Sequence, residues 1–399
     1  MSLRNLLMCC ALALLLSSCH VGRFFTLNMP DMQDQQRFPK LDVANSDTVW
    51  PLTYAQTPSF NFDQTVNIPR GEVVLSKLLK RTGTSAFIVI KNDSVIVEEY
   101  YNGFDDGASL PSFSVSKSFV GTLMGIALHE GVIQSLDDPV GKYIPEMKHE
   151  SAKKITLRAV IDMRSGFKFS ELYVNPFSDV VKYYYGRNLR KYVTKLRGSK
   201  SPNGNFHYKS VNSQVLALVL ENAYGKPLPV LLQEKLWKPM GMEYDASWNL
   251  DSKKHQTVKA FCCLNARARD YARFGLMYLN GGVANGKQVV PKEWVNATFN
   301  YSEAKNRFRY NKHFWTSKRF RTVSDTSNVN GLWVLNPHKR QQEGEYHIIQ
   351  KGGALVAQGI LGQTVYIRPE DDLVIVRLGK RNGWFLWANV LYQVAVEMR

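Results

Sequence analysis

The segment Ser114-Val115-Ser116-Lys117 constrains the fold more than any other feature of this chain, because it opens the apolar run SFVGTLMGIALHEG. The run predicts a buried helix that ends at Gly131, where a glycine can terminate a helix. A serine and a lysine three residues apart lie one turn apart on the same helix face. With the free N–H groups of a helix N-terminus, such a pair can form an activated nucleophile. In the alternative interpretation, Ser114 is a simple N-cap and Lys117 faces solvent.

The same spacing of serine and lysine also occurs at Ser151/Lys154, Ser165/Lys168 and Ser302/Lys305. The first pair lies among solvated charges, the second runs into a glycine turn, and the third lies in a polar stretch. Only the run after the serine at 114 combines length, apolar character and small residues that allow close packing. This context favours Ser114 as the nucleophile.

The N-terminus predicts a signal peptide over residues 1–18, with Arg4 as the positive region and LLMCCALALLL as the apolar core. This run is too short for a membrane-spanning helix. The sequence Leu-Ser-Ser-Cys ending at Cys19 resembles the bacterial lipobox, in which the cysteine carries lipid. The resemblance implies a chain anchored to the bacterial cell envelope, facing the periplasm or on the outer membrane. The alternative is an ordinary secretory signal that is cut nearby.

Only two cysteines remain in the predicted mature chain, because Cys9 and Cys10 leave with the signal and Cys19 would carry lipid. Cys262 and Cys263 are adjacent, and adjacent cysteines rarely bond each other without backbone strain. We therefore expect this pair to be buried and reduced, and the protein to have no disulfide framework. A hydrophobic content of 44% is sufficient for a large core.

The formal net charge is +17, and the basic excess is densest in residues 182–209 and 305–321. Basic patches are typical of nucleic-acid binding, but an exported lipoprotein rarely meets nucleic acid, and we expect no such partner. Attraction to anionic lipid or to a cell-wall polymer fits the charge better. A merely solvated surface is the plainer alternative.

The order of elements predicts an α/β (α+β) fold. Residues 85–103 alternate around a turn at Asn92-Asp93 and predict a β-hairpin. The middle of the chain is mainly helical, and GEYHIIQ, GQTVYIRP and DLVIVRLG predict strands before a closing helix. The predicted organisation is a tether over 19–60 and a domain over 61–399, in which 61–135 and 276–399 form the α/β part and 136–275 a helical insertion.

A second candidate element lies at Tyr208 and Ser210, just before the apolar run of another predicted helix. A tyrosine near a lysine can be held partly ionised and can carry a proton to a leaving group. Tyr208 can instead be a packed aromatic residue. A competing Tyr173-Val174-Asn175 lies in a loop without a following apolar helix.

The order S-x-S-K, then Y-x-S before a helix, then a strand bearing glycines resembles the serine β-lactamase and penicillin-binding-protein-like hydrolases of the class C type. The similarity covers roughly residues 75–399 and is greatest to the branch that contains 6-aminohexanoate-dimer hydrolase and related esterases. It implies a sandwich in which a mostly antiparallel sheet is flanked by helices, together with an inserted all-helical domain.

The third motif departs from the lactamase pattern. Ala357-Gln358-Gly359 stands where lactamases carry Lys-Thr-Gly or His-Thr-Gly, and a Lys351-Gly352-Gly353 sequence lies six residues upstream. The lysine that would hold a substrate carboxylate is therefore missing at the expected register. We expect that β-lactam hydrolysis is not the main activity.

The resemblance implies a role for each matching residue. Ser114 would be the nucleophile, Lys117 its base and Tyr208 the proton relay, and the N–H groups of Ser114 and Ile360 would form the oxyanion hole. The substrate contacts implied are Tyr173, Ser210, Gln358 and Gly359. The sequence contains no metal-ligand or cofactor motif, so we expect neither a metal nor a cofactor.

These features predict an exported serine hydrolase that cleaves an ester or amide bond of a small molecule or peptide. An esterase, an amidase acting on small linear amides and a D-amino-acid peptidase all fit. From a different class, a catalytically silent lipoprotein that binds cell-wall peptide or a protein partner also fits. The oligomeric state is left open.

Overall fold

The structure is a computed structural model, and it describes residues 20–27, 29–199, 204–300, 310–316, 320–327, 333–335, 340–350 and 353–399. The predicted signal peptide, the predicted lipidation site Cys19 and the pair Lys351-Gly352 lie outside these residues, so the predictions made on them stay predictions.

The chain forms two units, each built from two segments. The helical unit comprises Met1–Asp47 and Ser109–Arg267, and the sheet unit comprises Thr48–Ala108 and Ala268–Arg399. The boundaries therefore differ from those predicted after 135 and 275. The helix that carries Lys117 belongs to the helical unit because it packs against helix Val211–Tyr224. Helix Ala268–Leu279 belongs to the sheet unit because it packs on strand Leu373–Gly379.

The sheet unit is built on an eight-stranded sheet. In spatial order its strands are Tyr310–Asn311, Phe314–Thr316, Leu355–Gly359, Gln363–Arg368, Leu373–Gly379, Thr84–Lys91, Ser94–Tyr100 and Thr53–Tyr54. Neighbours pair antiparallel except the last two, which are parallel. The pairing of Thr84–Lys91 with Leu373–Gly379 confirms that both ends of the chain contribute to one mixed sheet.

The predicted hairpin is confirmed as strands Thr84–Lys91 and Ser94–Tyr100. Its turn residues Asn92 and Asp93 have φ values of 50° and 57°, a left-handed conformation that these two residue types tolerate. The strand predicted at GEYHIIQ forms as Tyr346–Gln350, but in a separate three-stranded sheet with Phe320–Val323 and Trp333–Leu335.

Helices and short hairpins complete the sheet unit. They are the strands Thr65–Ile68, Gly71–Val74, Val283–Ala284 and Lys287–Gln288, the helices Leu75–Arg81, Ala268–Leu279, Lys292–Phe299 and Trp387–Glu397, and the 3-10 turns Ile360–Gly362 and Pro369–Asp371. Helix Ala268–Leu279 approaches the sheet so closely that a Cβ on Gly275 would lie 2.5 Å from Val374 Cγ1. Any larger residue at this position would have to displace the Val374 side chain.

The helical unit consists mainly of short helices around two long ones. They are His20–Leu27, Asp34–Arg37, Ser116–His129, Val140–Tyr143, Glu150–Lys153, Leu157–Ile161, Asp179–Tyr185, Leu189–Thr194, Val211–Tyr224 and Leu228–Leu232, with a 3-10 turn at Phe113–Val115 and a π-helical segment at Gln233–Trp237. Among the described residues no single helix is long and apolar enough to cross a membrane. The consecutive pair Val211–Tyr224 and Leu228–Trp237 meets that length only together and is bent by 79°.

The structure differs from the predicted tether over 19–60. Residues His20–Leu27 are helical, and Lys40–Val43 pairs antiparallel with Ala246–Asn249 in a four-stranded sheet that also contains Leu264–Ala266 and Leu110–Pro111. The rings of Phe24 and Phe38 pack against Tyr185 and Tyr184. The surrounding Asp, Gln, Pro and Asn residues concealed these aromatic contacts in the sequence.

The expectation of two reduced cysteines is wrong, because Cys262 and Cys263 are joined by a disulfide. The pair is buried as predicted, with each residue 4% exposed. Adjacent cysteines bond here because they lie in a turn rather than in a regular helix or strand, and Cys263 has a φ of 74°. The turn leads directly into strand Leu264–Ala266.

Candidate active site

Ser114 lies in the middle of the 3-10 turn Phe113–Val115, which runs directly into helix Ser116–His129. The preceding residue, Phe113, has a φ of 45°, which costs a non-glycine residue about 1–3 kcal/mol. The backbone N–H of Ser112 donates to Leu264 O at 2.8 Å and holds the turn in place. Ser114 thus precedes the first turn of a long helix, where backbone N–H groups have no partner within the helix.

Lys117 is turned toward this hydroxyl and is only 1% exposed. Its Nζ donates to Ser114 Oγ at 2.8 Å and makes a second, short hydrogen bond to the carbonyl of Phe261. Burial lowers the pKa of Lys117 to about 7, against the opposing effect of the Glu171 carboxylate. In a substantial fraction of the molecules, Lys117 is therefore a neutral amine at neutral pH. In this form it can accept the serine proton.

Tyr208 completes the group. It shares a hydrogen bond with Ser114, and Lys117 Nζ lies 5.3 Å from the centroid of its ring. Burial raises the pKa of Tyr208 well above its usual range; the bond to Ser114 opposes this effect and Glu171 adds to it. The raised pKa favours the protonated phenol over the partly ionised form that the sequence also allows, since burial outweighs the stabilising bond. Tyr208 is protonated at neutral pH and can donate.

Glu171 is the residue of this group that the sequence did not reveal. Its Oε1 accepts hydrogen bonds from the Tyr173 hydroxyl at 2.7 Å and from Ser210 Oγ, and its Oε2 accepts from Ser210 N at 2.9 Å. Ser210 is the N-cap of helix Val211–Tyr224, where a negative charge is favourable. The carboxylate therefore ties the loop of Tyr173 to the segment that carries Tyr208.

The Phe261 carbonyl that accepts from Lys117 belongs to the disulfide turn. The turn is held on both sides, since Cys262 O accepts from Trp248 Nε1 at 2.8 Å and Cys263 O accepts from Asn249 N at 3.0 Å. The second acceptor of the lysine is therefore a fixed backbone group rather than a mobile side chain.

Gln358, Gly359 and Ile360 lie in the sheet unit, at the end of strand Leu355–Gly359 and the start of the next turn. In this turn Leu361 has a φ of 63°, and its carbonyl accepts from the buried Arg377 Nη1 at 2.7 Å. Arg377 also donates to Thr82 O at 3.0 Å. The turn is therefore anchored within its own unit.

The structure thus brings Ser114, Lys117 and Tyr208 together in the helical unit and joins Ser210 and Tyr173 through Glu171. One feature of the sequence could have pointed to Glu171, which is one of only two acidic residues in the basic stretch between 164 and 209. The catalytic roles of the three residues, the oxyanion role of Ile360 and the substrate contacts stay predictions.

Comparisons with known proteins identify the family of the chain. The family model described as Beta-lactamase matches residues 74–395. The chain is 29% identical over 317 residues to the 6-aminohexanoate-dimer hydrolase of Paenarthrobacter ureafaciens. The alignment covers 76% of this chain and 74% of the relative.

Solved structures show the same fold. A Bacillus anthracis protein provisionally named a 6-aminohexanoate-dimer hydrolase superimposes with a TM-score of 0.74 at 24% identity, over 92% of this chain and 93% of that one. A family VIII carboxylesterase gives a TM-score of 0.56 at 14% identity, over 81% and 95% of the two chains. FmtA from Staphylococcus aureus gives a TM-score of 0.57 at 14% identity, over 81% of this chain and 87% of that one.

The neutral form of Lys117 should govern the reactivity of Ser114. Because burial places the lysine pKa at about 7, the rate of acylation by an uncharged activated ester should be low in acid and should rise to a plateau as pH increases through about 7. Stopped-flow measurement of acylation against pH tests this. A rate that keeps rising toward the pKa of a solvated lysine, about 10.4, would contradict the assignment.

Glu171→Gln should shift the rise of the acylation rate with pH to lower pH. The carboxylate raises the pKa of Lys117, so its removal makes the amine easier to deprotonate. The plateau rate should also fall, because the amide cannot accept every bond that the carboxylate accepts. Glu150→Gln, an exposed change in the same unit, is the matched control. If the pH of the rise stays the same while the plateau rate falls, the Glu171 carboxylate has a purely structural role.

Proposed function

Because the chain belongs to the beta-lactamase family and is a β-lactamase-related serine hydrolase, we propose that it cleaves an ester or amide bond through an acyl-enzyme on Ser114. The hydrogen bond from a buried Lys117 to Ser114 Oγ is the observation that carries the proposal. It joins a nucleophile to a base whose pKa, lowered by burial, is suited to neutral pH.

In the proposed reaction, Ser114 Oγ attacks the substrate carbonyl carbon while its proton passes to Lys117 Nζ. The N–H groups of Ser114 and Ile360 are the proposed donors to the resulting oxyanion. As the bond to the leaving group breaks, Tyr208 protonates the departing alcohol or amine and regains a proton from the Lys117 ammonium. Water then attacks the acyl-enzyme, releases the acid and restores the serine hydroxyl. The protonated state of Tyr208 supports this donor role.

The proposed substrate is an uncharged ester or a linear amide rather than a β-lactam. Ala357 stands where a lysine would bind a substrate carboxylate in the lactamase pattern. The name of the Paenarthrobacter ureafaciens relative refers to hydrolysis of a 6-aminohexanoate dimer, and one structural neighbour is a carboxylesterase. Both support acyl transfer from small substrates.

We also propose that the protein is exported and carries lipid on Cys19, which lies outside the described residues. The lipobox-like sequence at residues 16–19 supports this. Cells grown with an alkyne-labelled fatty acid should incorporate the label into the wild-type chain and not into a Cys19→Ser variant. Equal labelling of both chains, or label in neither, would contradict the anchor.

Intact-mass spectrometry tests the nucleophile directly. A p-nitrophenyl ester or a fluorophosphonate should add one acyl or phosphonyl group to the wild type and none to Ser114→Ala. Ser151→Ala removes the serine of another S-x-x-K sequence and should label as the wild type does. Turnover retained in Ser114→Ala would show that the nucleophile is misassigned. A folded wild type without any adduct would favour the silent binding protein.

A further inference from the structure

A short loop between Glu171 and Ser178 presents three large apolar side chains to solvent. Leu172 is 58% exposed, Val174 is 76% exposed and Phe177 is 77% exposed. Scattered exposed apolar residues are ordinary on protein surfaces, but a cluster within six residues is not.

The loop is held by its own hydrogen bonds. Ser178 Oγ donates to Leu172 O at 2.7 Å, Ser178 N donates to Asn175 O at 3.0 Å, and Phe177 N donates to Asn175 Oδ1 at 2.9 Å. These bonds hold the backbone that carries the apolar side chains and satisfy part of its polar groups. An apolar surface next to such a loop would therefore not have to replace those bonds.

The loop lies in a basic stretch of the sequence. Residues 164–209 contain ten lysine and arginine residues and two acidic residues, a formal balance of +8. Both carboxylates accept hydrogen bonds from protein groups: Glu171 from Ser210, and Asp179 from Ser170 N. Lys168, only four residues before Leu172, is exposed. An apolar cluster in a basic region complements a surface that carries both hydrocarbon and negative charge.

The first described residues of the chain lie against the helix that follows this loop. Helix His20–Leu27 packs on helix Asp179–Tyr185, with the Phe24 and Tyr185 rings 5.9 Å apart. Phe25 on the same N-terminal helix is 70% exposed. The residue that follows the proposed lipid attachment site is therefore part of the same region of the unit as the loop.

We propose that Leu172, Val174 and Phe177, together with exposed basic residues of the same stretch such as Lys168, form a docking surface for an anionic lipid bilayer. This proposal does not depend on the catalytic assignment. Because Tyr173 lies in the same loop and donates to Glu171, docking would bring the Ser114 region to the lipid surface.

Photo-crosslinking locates the contact. The full chain is mixed with vesicles that contain phosphatidylglycerol and a phospholipid bearing a diazirine in its acyl chain. After illumination and digestion, mass spectrometry should find lipid adducts on the peptide covering 171–178. Vesicles of phosphatidylcholine alone should give few such adducts. Adducts confined to other parts of the chain would overturn the proposal.

A variant with Leu172→Ser, Val174→Ser and Phe177→Ser tests the apolar contribution. Its binding to phosphatidylglycerol vesicles should be at least about tenfold weaker than that of the wild type, and its adducts on 171–178 should disappear. The double variant Trp384→Ser and Leu386→Ser changes residues that are 81% and 60% exposed elsewhere and should bind as the wild type does. All chains share the same N-terminus, so a lipid or leader contributes equally to each.

Two controls keep the result interpretable. An unchanged thermal unfolding curve for the triple variant shows that the loss is not unfolding. A soluble polyanion, polyglutamate, separates charge from bilayer contact: if it competes fully with the vesicles and the triple variant binds both as the wild type does, the surface is a polyanion site and the proposal fails. Because activity is not the readout, failure here leaves the proposed hydrolase reaction untouched.

Discussion

The burial of the Lys117 amine is the constraint on which the rest of the site depends. Lys117 is buried, and its two hydrogen bonds reach Ser114 and the Phe261 carbonyl. A solvated lysine would be almost entirely ammonium at neutral pH and could not take a proton from a serine. The apolar helix that carries Lys117 thus shapes the chemistry as well as the core.

The site also balances charge within a strongly basic region. Burial lowers the pKa of both Lys117 and Lys209. The charge of Glu171 opposes this effect at each lysine. The same carboxylate accepts from Tyr173 and caps the helix behind Tyr208. One acidic residue thus sets both the positions and the proton affinities of its neighbours.

The sequence predicted the parts that depend on local spacing. The pair Ser114 and Lys117 is one helical turn apart, and the hairpin at Asn92-Asp93 follows from alternation and turn chemistry. The contacts that Glu171 and the Phe261 carbonyl make were beyond reach, because their partners lie 39 and 144 residues away in the chain. The pKa of Tyr208 was beyond reach as well, because it depends on burial that only tertiary packing creates. The unit boundaries differ for the same reason, since packing partners rather than element order decide them.

The turn that carries the Phe261 carbonyl is closed by the bond between the two neighbouring sulfurs. Such a bond persists in an oxidising compartment and is rare where glutathione and thioredoxin keep thiols reduced. A chain retained in a reducing cytosol would therefore fold with two separate thiols beside the acceptor of Lys117. The oxidation state of the surroundings therefore decides whether a covalent bond closes the turn next to the carbonyl that accepts from Lys117.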